Sequence, residues 1–322
     1  MAGAARAFLV SGATGLIGRR LTAQLLGQGC SVRALTRDLR RGAAALDSRV
    51  LLVRWDGVHV PADALRGADA VVHLAGEPVF GGFRGAARRG RVRDSRIEST
   101  RSLVTALGAL PEAERPAVLV CASAVGFYGS RGEETLEEDA DPGAGFLAEL
   151  CRDWEAAARS AEVHGVRSIS LRIGIVMARE GGALRGMARP FRLGLGGRIG
   201  SGRQWFPWIH IDDVVALIRA VVDDPDYRGP VNAVAPQPVR NAQFTRALAA
   251  VMRRPALLPV PAFAVRAALG ELAVELLGSR RIVPRQALAH GFRFQHTSLE
   301  TALAQELDVG RDRRKRPRAP DQ

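Results

Sequence analysis

The segment Ser11-Gly12-Ala13-Thr14-Gly15-Leu16-Ile17-Gly18 places three glycines at the spacing that lets a backbone turn hold a diphosphate. Gly12 permits a tight turn out of a strand, Gly15 has no β-carbon to keep a pyrophosphate at a distance, and Gly18 lets the next helix lie close to the sheet. Thr14, Leu16 and Ile17 fill the turn, where unpaired N–H groups and the helix dipole favour phosphate charge. A merely tight strand–helix connection is the bland alternative. The next strand ends Leu35-Thr36-Arg37. An acidic residue there would accept from both ribose hydroxyls of NAD. A guanidinium instead pairs with a 2′-phosphate, and Thr36 could donate to it. Asp38 is adjacent and points the other way. The expected cofactor is NADP(H).

Groups able to move a proton are fewer. Ser123 closes an apolar run and Tyr128 follows it by five residues; both are candidate catalytic residues. Glu77, Trp208 and His210 are candidates for contact with substrate. Histidine is the side chain whose ordinary range lies near neutrality, and Asp212 could cap the helix after His210, which would hold His210 at the helix mouth. A hydrogen-bonded structural histidine, a plain strand-end serine and ordinary aromatic packing remain the alternatives.

These residues need a scaffold, and the first half of the chain outlines one. Short apolar, β-branched runs alternate with helical patterns, as in a parallel sheet wrapped by helices. The expected strands are Ala7–Ser11, Ser31–Thr36, Val50–Arg54, Ala70–Ala75, Ala117–Ser123 and Ser168–Arg172. Helices are expected at Leu16–Leu26, Arg93–Leu107 and Phe146–Glu162, the last with apolar residues three and four apart. Beyond Ile173 the chain turns glycine-rich, then offers a helix at Asp212–Val222, a strand at Val231–Val234 and helical segments punctuated by proline. The expected fold is α/β: a Rossmann-type doubly wound parallel sheet over 1–175 with a smaller lobe over 176–305, of which 205–234 partly returns to the core. A basic tail, 306–322, follows.

Composition excludes several classes. Of 322 residues 47% are hydrophobic, enough for a substantial core, and no apolar stretch reaches the roughly 20 residues of a membrane helix. Three scattered cysteines and no His/Cys cluster argue for reduced thiols and no metal site. The N-terminus lacks a signal-peptide layout, so a cytoplasmic location is expected. A net charge of +13 invites nucleic acid. However, Lys315 is the single lysine, and the arginines are scattered apart from the block Arg311 to Arg318. Nucleic-acid binding is therefore not expected.

The glycine turn, together with blocks downstream, resembles the extended short-chain dehydrogenase/reductases. Within them the chain is similar to the atypical YfcH-like family of nucleoside-diphosphate-sugar epimerases. The blocks are His73-Leu74-Ala75-Gly76-Glu77-Pro78, Ser95 to Thr100, Ser123 to Gly129, Trp154-Glu155, Pro190 to Gly197 and Trp208 to Asp213. The resemblance runs from about residue 6 to 305 and includes that family's own C-terminal domain. It implies further cofactor contacts at Leu74, Ala75 and Gly76, at Arg96 on the following helix, and at Val176. Where relatives show Arg-Trp after the Glu-Pro pair, this chain has Phe83-Arg84.

The superfamily's usual chemistry needs a serine and a Tyr-x-x-x-Lys pair, in which lysine lowers the tyrosine pKa. This chain lacks the pair. Its tyrosines are Tyr128 and Tyr227, and the relevant helix reads Phe146-Leu147-Ala148-Glu149-Leu150, with Phe and Leu in the two key places. Two functions follow: an NADP(H)-dependent oxidoreductase or epimerase of a small molecule with a non-standard proton donor, or an NADPH-binding regulator or partner-binding module that performs no chemistry.

Overall fold

The structure, a computed structural model, describes residues 6–79, 85–270 and 273–307. Phe83-Arg84 and the tail block 311–318 lie outside the described residues. The first half comprises β1 (Ala7–Ser11), α1 (Leu16–Gly27), β2 (Ser31–Thr36), α2 (Leu39–Ala45), β3 (Leu51–Arg54), α3 (Ala62–Leu65), β4 (Ala70–His73) and α4 (Ala86–Gly108). Next come β5 (Val118–Ala124), β6 (Thr135–Leu136), α5 (Phe146–Arg159) and β7 (Arg167–Ile173). The second half holds β8 (Ile175–Met177), α6 (Gly182–Arg192), β9 (Trp205–Phe206), β10 (Trp208–His210), α7 (Ile211–Asp223) and β11 (Gly229–Ala233). The chain closes with β12 (Val239–Arg240), α8 (Asn241–Met252), α9 (Ala262–Leu269), α10 (Ala273–Leu277), β13 (Arg281–Ile282), α11 (Arg285–Ala289) and α12 (Leu299–Leu307).

Seven strands form one parallel sheet in the order β11-β7-β5-β4-β1-β2-β3. Strand order reverses between β1 and β4, the switch point where open α/β sheets bind ligands. Runs such as Phe8-Leu9-Val10 and Ala70-Val71-Val72 are at most 1% exposed because helices cover both faces. One face packs Leu21, Leu25, Val214 and Ile218 from α1 and α7; the other packs Leu65, Leu103 and Leu107 from α3 and α4.

Chain leaving the sheet after β7 builds a second core, in which Phe206 stacks on Phe244 with centroids 4.4 Å apart, beside Trp208, Leu248 and Leu303. It returns as α7, which packs on α1, and β11, which pairs with β7. The last third reaches back as well, since β13 pairs with β6.

Two differences from the sequence pattern have physical causes. α4 begins at Ala86 rather than Arg93, because its first turns are an arginine-rich, largely exposed stretch with no apolar period to read. α2 and α3, of 7 and 4 residues, are too short to show periodicity; α2 is held by Asp38, which caps it by accepting from the Arg41 N–H at 3.0 Å.

Candidate active site

The three turn glycines are bare for different reasons. Gly12 has a left-handed φ of 68°, and a β-carbon there would lie 2.6 Å from the Leu74 carbonyl carbon at the exit of β4. At Gly18 one would lie 2.3 Å from the Gly12 carbonyl oxygen, so the helix could not approach the sheet. At Gly15 the nearest atom would be the Gly12 oxygen at 3.1 Å, with nothing beyond it on the outer side. Among the described residues no side chain caps α1, which leaves the first-turn N–H groups around Thr14, Leu16 and Ile17 for an outside acceptor. The turn therefore fits a diphosphate. Ile17, Leu74 and Val176 pack on the sheet core just below it. The Ala75 N–H donates to the Ser11 hydroxyl at 3.3 Å, and that hydroxyl lies 2.6 Å from His73 Nδ1.

At the tip of β2, Thr36 is turned inward on its own loop, donating to the Asp38 carbonyl at 3.1 Å. Arg37 is exposed, and among the described residues its side chain has no partner.

Beyond the carboxyl ends of β4 and β5 lies a cavity of about 270 Å³. Leu74, Ala75, Gly76 and Val79 line one side, and Ala122, Ser123, Ala124 and Gly126 the other. α5 contributes Leu147, Leu150, Cys151 and Trp154; Arg96 enters from α4 and Glu275 from α10. Leu147 and Cys151, four residues apart, thus face the cavity with Leu150, whereas Phe146 is outside its wall. Burial pushes the Cys151 thiol up to about 12. Arg96 donates to the Glu77 and Val92 carbonyls at 2.9 and 3.1 Å, and its guanidinium sits 5.2 Å from the Trp154 ring centroid. Burial lowers its pKa, an effect that the charge of Glu77 partly opposes. Glu77, expected to contact substrate, is not among the residues lining the cavity, and its carboxylate lies 3.8 Å from both Arg88 and Arg91.

Ser123 donates to Glu155 at 2.6 Å, and Arg172 grips both oxygens of Glu155 at 3.0 and 2.9 Å. Tyr128 belongs to the same buried network rather than to the cavity wall. Its hydroxyl donates to Asn232 Oδ1 at 2.7 Å and accepts from Arg172 at 2.9 Å. Burial raises it to about 12. Sequence reasoning missed Glu155, Arg172, Cys151 and Glu275. The Trp-Glu pair in the helix was visible, but its buried cation stands in another strand.

His210 and Trp208 are 0% and 1% exposed and lie away from the cavity, in the second core. The cap of α7 is the His210 ring itself, which accepts from the Asp212 N–H at 3.2 Å, in place of the Asp212 carboxylate. Its Nε2 meets Glu306 at 3.0 Å. His210, Asp212 and His296 bring possible ligand atoms within 4.8 Å of one another. Both nitrogens of His210 are already engaged, however, and Arg20 pairs with Asp212 at 2.6 Å.

A seven-stranded parallel sheet, a glycine turn at its switch point and a cavity beside the turn define a Rossmann-type α/β protein. The chain belongs to the NAD dependent epimerase/dehydratase family, whose sequence pattern matches residues 8–234. Residues 260–306 match a domain of unknown function, DUF1731. The chain is 38% identical over 299 residues to an Arabidopsis thaliana protein, "Epimerase family protein SDR39U1 homolog, chloroplastic", covering 91% of this chain and 84% of that one. Identity to the epimerase family protein YfhF of Bacillus subtilis is 36%, over 92% of this chain and 96% of the relative. Among solved structures, human epimerase family protein SDR39U1 (isoform 2) with NADPH superposes with a TM-score of 0.83. Its identity is 32%, and the match covers 94% of this chain and 99% of that one.

Proposed function

We propose that the chain binds NADP(H) along the glycine turn and acts as an oxidoreductase or epimerase on a small molecule held in the adjoining cavity. The sugar nucleotides implied by the family resemblance are the first class to try. The observation that carries the cofactor choice is at the tip of β2. Asp38, the one acid there, is spent on capping α2, while Arg37 beside it is exposed and unpaired among the described residues. A carboxylate already accepting from a helix N–H is poorly placed to take ribose hydroxyls, and a free guanidinium suits a 2′-phosphate. The NADPH in the human relative agrees with this. Gly12, Thr14, Gly15, Leu16, Ile17 and Gly18 would hold the diphosphate, and Leu74, Ala75, Gly76 and Val176 would flank the cofactor.

Bound nicotinamide supplies hydride exchange with a substrate carbon. The chain's own part is to hold the substrate oxygen and to move a proton. Ser123 supplies a hydroxyl in the cavity wall; because its O–H is directed to Glu155 as a hydrogen bond, its lone pairs can accept from a substrate hydroxyl. Glu275 has one carboxylate oxygen on Arg280 at 2.8 Å, and its other oxygen can exchange a proton at the cavity. Tyr128 and His210, tied into buried bonds, are left out of this role.

A second function is favoured by a specific observation: α5 turns Leu147, Leu150 and Cys151 to the cavity, where the superfamily's chemistry needs tyrosine and lysine. That suits a protein binding NADPH without turnover. Calorimetry with NADPH and NADH, on the wild type and Arg37→Glu, tests the cofactor; unchanged preference in the variant sinks the 2′-phosphate assignment. Single-turnover NADPH oxidation against a carbonyl and sugar-nucleotide panel separates the two functions. Tight binding with no oxidation selects the second.

A further inference from the structure

Several stretches of this chain contain no acidic residue, and two of them build much of the lobe: the one between Glu180 and Asp212, with five arginines, and the one between Asp226 and Glu271, with six. Far apart in sequence, they are strapped together in the lobe. Ile199 and Val260 form an isolated parallel bridge. The Val260 N–H donates to the Arg198 carbonyl at 2.9 Å, and the Gly200 N–H to the Val260 carbonyl at 2.8 Å. A β-carbon at Gly197 would fall 1.6 Å from the Leu258 carbonyl oxygen, so the backbones are in direct contact.

Arginines that look scattered in sequence therefore collect on one lobe with no carboxylate of their own stretches to offset them. Arg185, Arg189, Arg192, Arg198, Arg253 and Arg254 are all exposed, and none has a side-chain partner among the described residues. On the same two segments large apolar side chains stand in solvent: Leu193 is 73% exposed, Leu195 55%, Leu257 82%, Leu258 54% and Phe263 72%. Single exposed leucines are ordinary. Five such side chains on two segments joined at the backbone give this part of the lobe an exposed apolar content that suits a docking surface.

We propose that this face of the lobe docks on an anionic lipid bilayer, with Leu257, Leu258 and Phe263 entering the headgroup boundary while the arginines meet lipid phosphates. Charge complementarity selects a polyanion, and the apolar residues select which kind. Single-stranded nucleic acid is gripped by flat aromatic platforms between cations. Here the protruding groups are mostly branched aliphatics, which gain nothing on a base but gain transfer energy in acyl chains. The contact is peripheral, since among the described residues no helix is long and apolar enough to cross a membrane.

The test uses the full chain with vesicles of phosphatidylcholine alone and of phosphatidylcholine with phosphatidylglycerol, followed by sedimentation at about 0.1 M salt, where the screening length is about 10 Å. Binding to the anionic vesicles and not the neutral ones is expected. Leu257→Ser with Phe263→Ser should weaken partitioning at least tenfold, from the loss of two apolar groups that enter the headgroup boundary. Arg253→Ala with Arg254→Ala should weaken it too and flatten its salt dependence. Both variants change exposed side chains, so their melting temperatures should match the wild type. Phe263→Trp should show a blue-shifted emission when anionic vesicles are added. Absent binding, binding untouched by the Leu257/Phe263 pair, an unshifted Trp emission, or tighter binding to duplex DNA or an acidic protein than to vesicles would each overturn the proposal.

Discussion

Glu155 and Arg172 lie opposite one another across α5 and β7, joined by two hydrogen bonds of 3.0 and 2.9 Å, and each is only 3% exposed. Ser123 hangs from the carboxylate and Tyr128 from the guanidinium. The pair thus links the cavity wall to the core beneath it. Removing one partner leaves an uncompensated buried charge, whereas removing both does not. Glu155→Ala is expected to cost about 3–5 kcal/mol in urea unfolding. Glu155→Leu with Arg172→Met should cost clearly less than either single change. Equal losses in single and double variants would mean that packing, not charge, holds this site.

The turn glycines separate folding from binding. Gly18→Ala drives a methyl into the Gly12 carbonyl, 2.3 Å away, and should destabilise the fold by about 1–3 kcal/mol. At Gly15 the nearest atom would be the Gly12 oxygen at 3.1 Å, a tight contact but a looser one than at Gly18, so Gly15→Ala should lower thermal stability less than Gly18→Ala while clearly weakening NADPH binding. A Gly15→Ala protein that binds NADPH as tightly as wild type would remove the diphosphate from this turn.

His73 is fully buried between Ser11 and Ser99, and burial lowers its pKa from 6.5 to about 4. The folded protein therefore resists a proton that the unfolded chain takes up. Stability from this group is present above about pH 6.5 and is lost as pH falls toward 4. The loss is on the order of 3 kcal/mol, from about 1.4 kcal/mol per unit. Unfolding followed from pH 7 to 4 should show a steeper decline for wild type than for His73→Gln. Parallel curves would contradict a neutral buried histidine.

Thiol chemistry reports on the same packing. Cys121 and Cys151 are buried, and burial raises both to about 12, while Cys30 is half-buried. Thiolate is the reactive form, so a disulfide reagent at pH 8 should label Cys30 first and the other two only on unfolding. Bound NADPH should slow Cys151 further. Rapid native labelling of Cys151 would mean that the cavity opens widely.

Local pattern determined much of this protein. Central strands were legible within one or two residues because a sheet covered on both faces demands short unbroken apolar runs, and the glycine turn was legible because backbone sterics leave few substitutes at Gly12 and Gly18. The loss of the Tyr-Lys pair was plain from residue types alone. What only the tertiary structure decided is which polar groups meet a ligand. One residue along a helix turns a side chain by about 100°, so whether Phe146 or Leu147 faces the cavity is set by how α5 packs on the sheet. Glu275 arrives from a helix far along the chain, Tyr128 and His210 are sealed by partners at Asn232 and Glu306, and the two acid-free stretches of the lobe are brought together by contacts such as the bridge between Val260 and Ile199. Burial and partnership are properties of contacts between distant segments, and no local spacing encodes them.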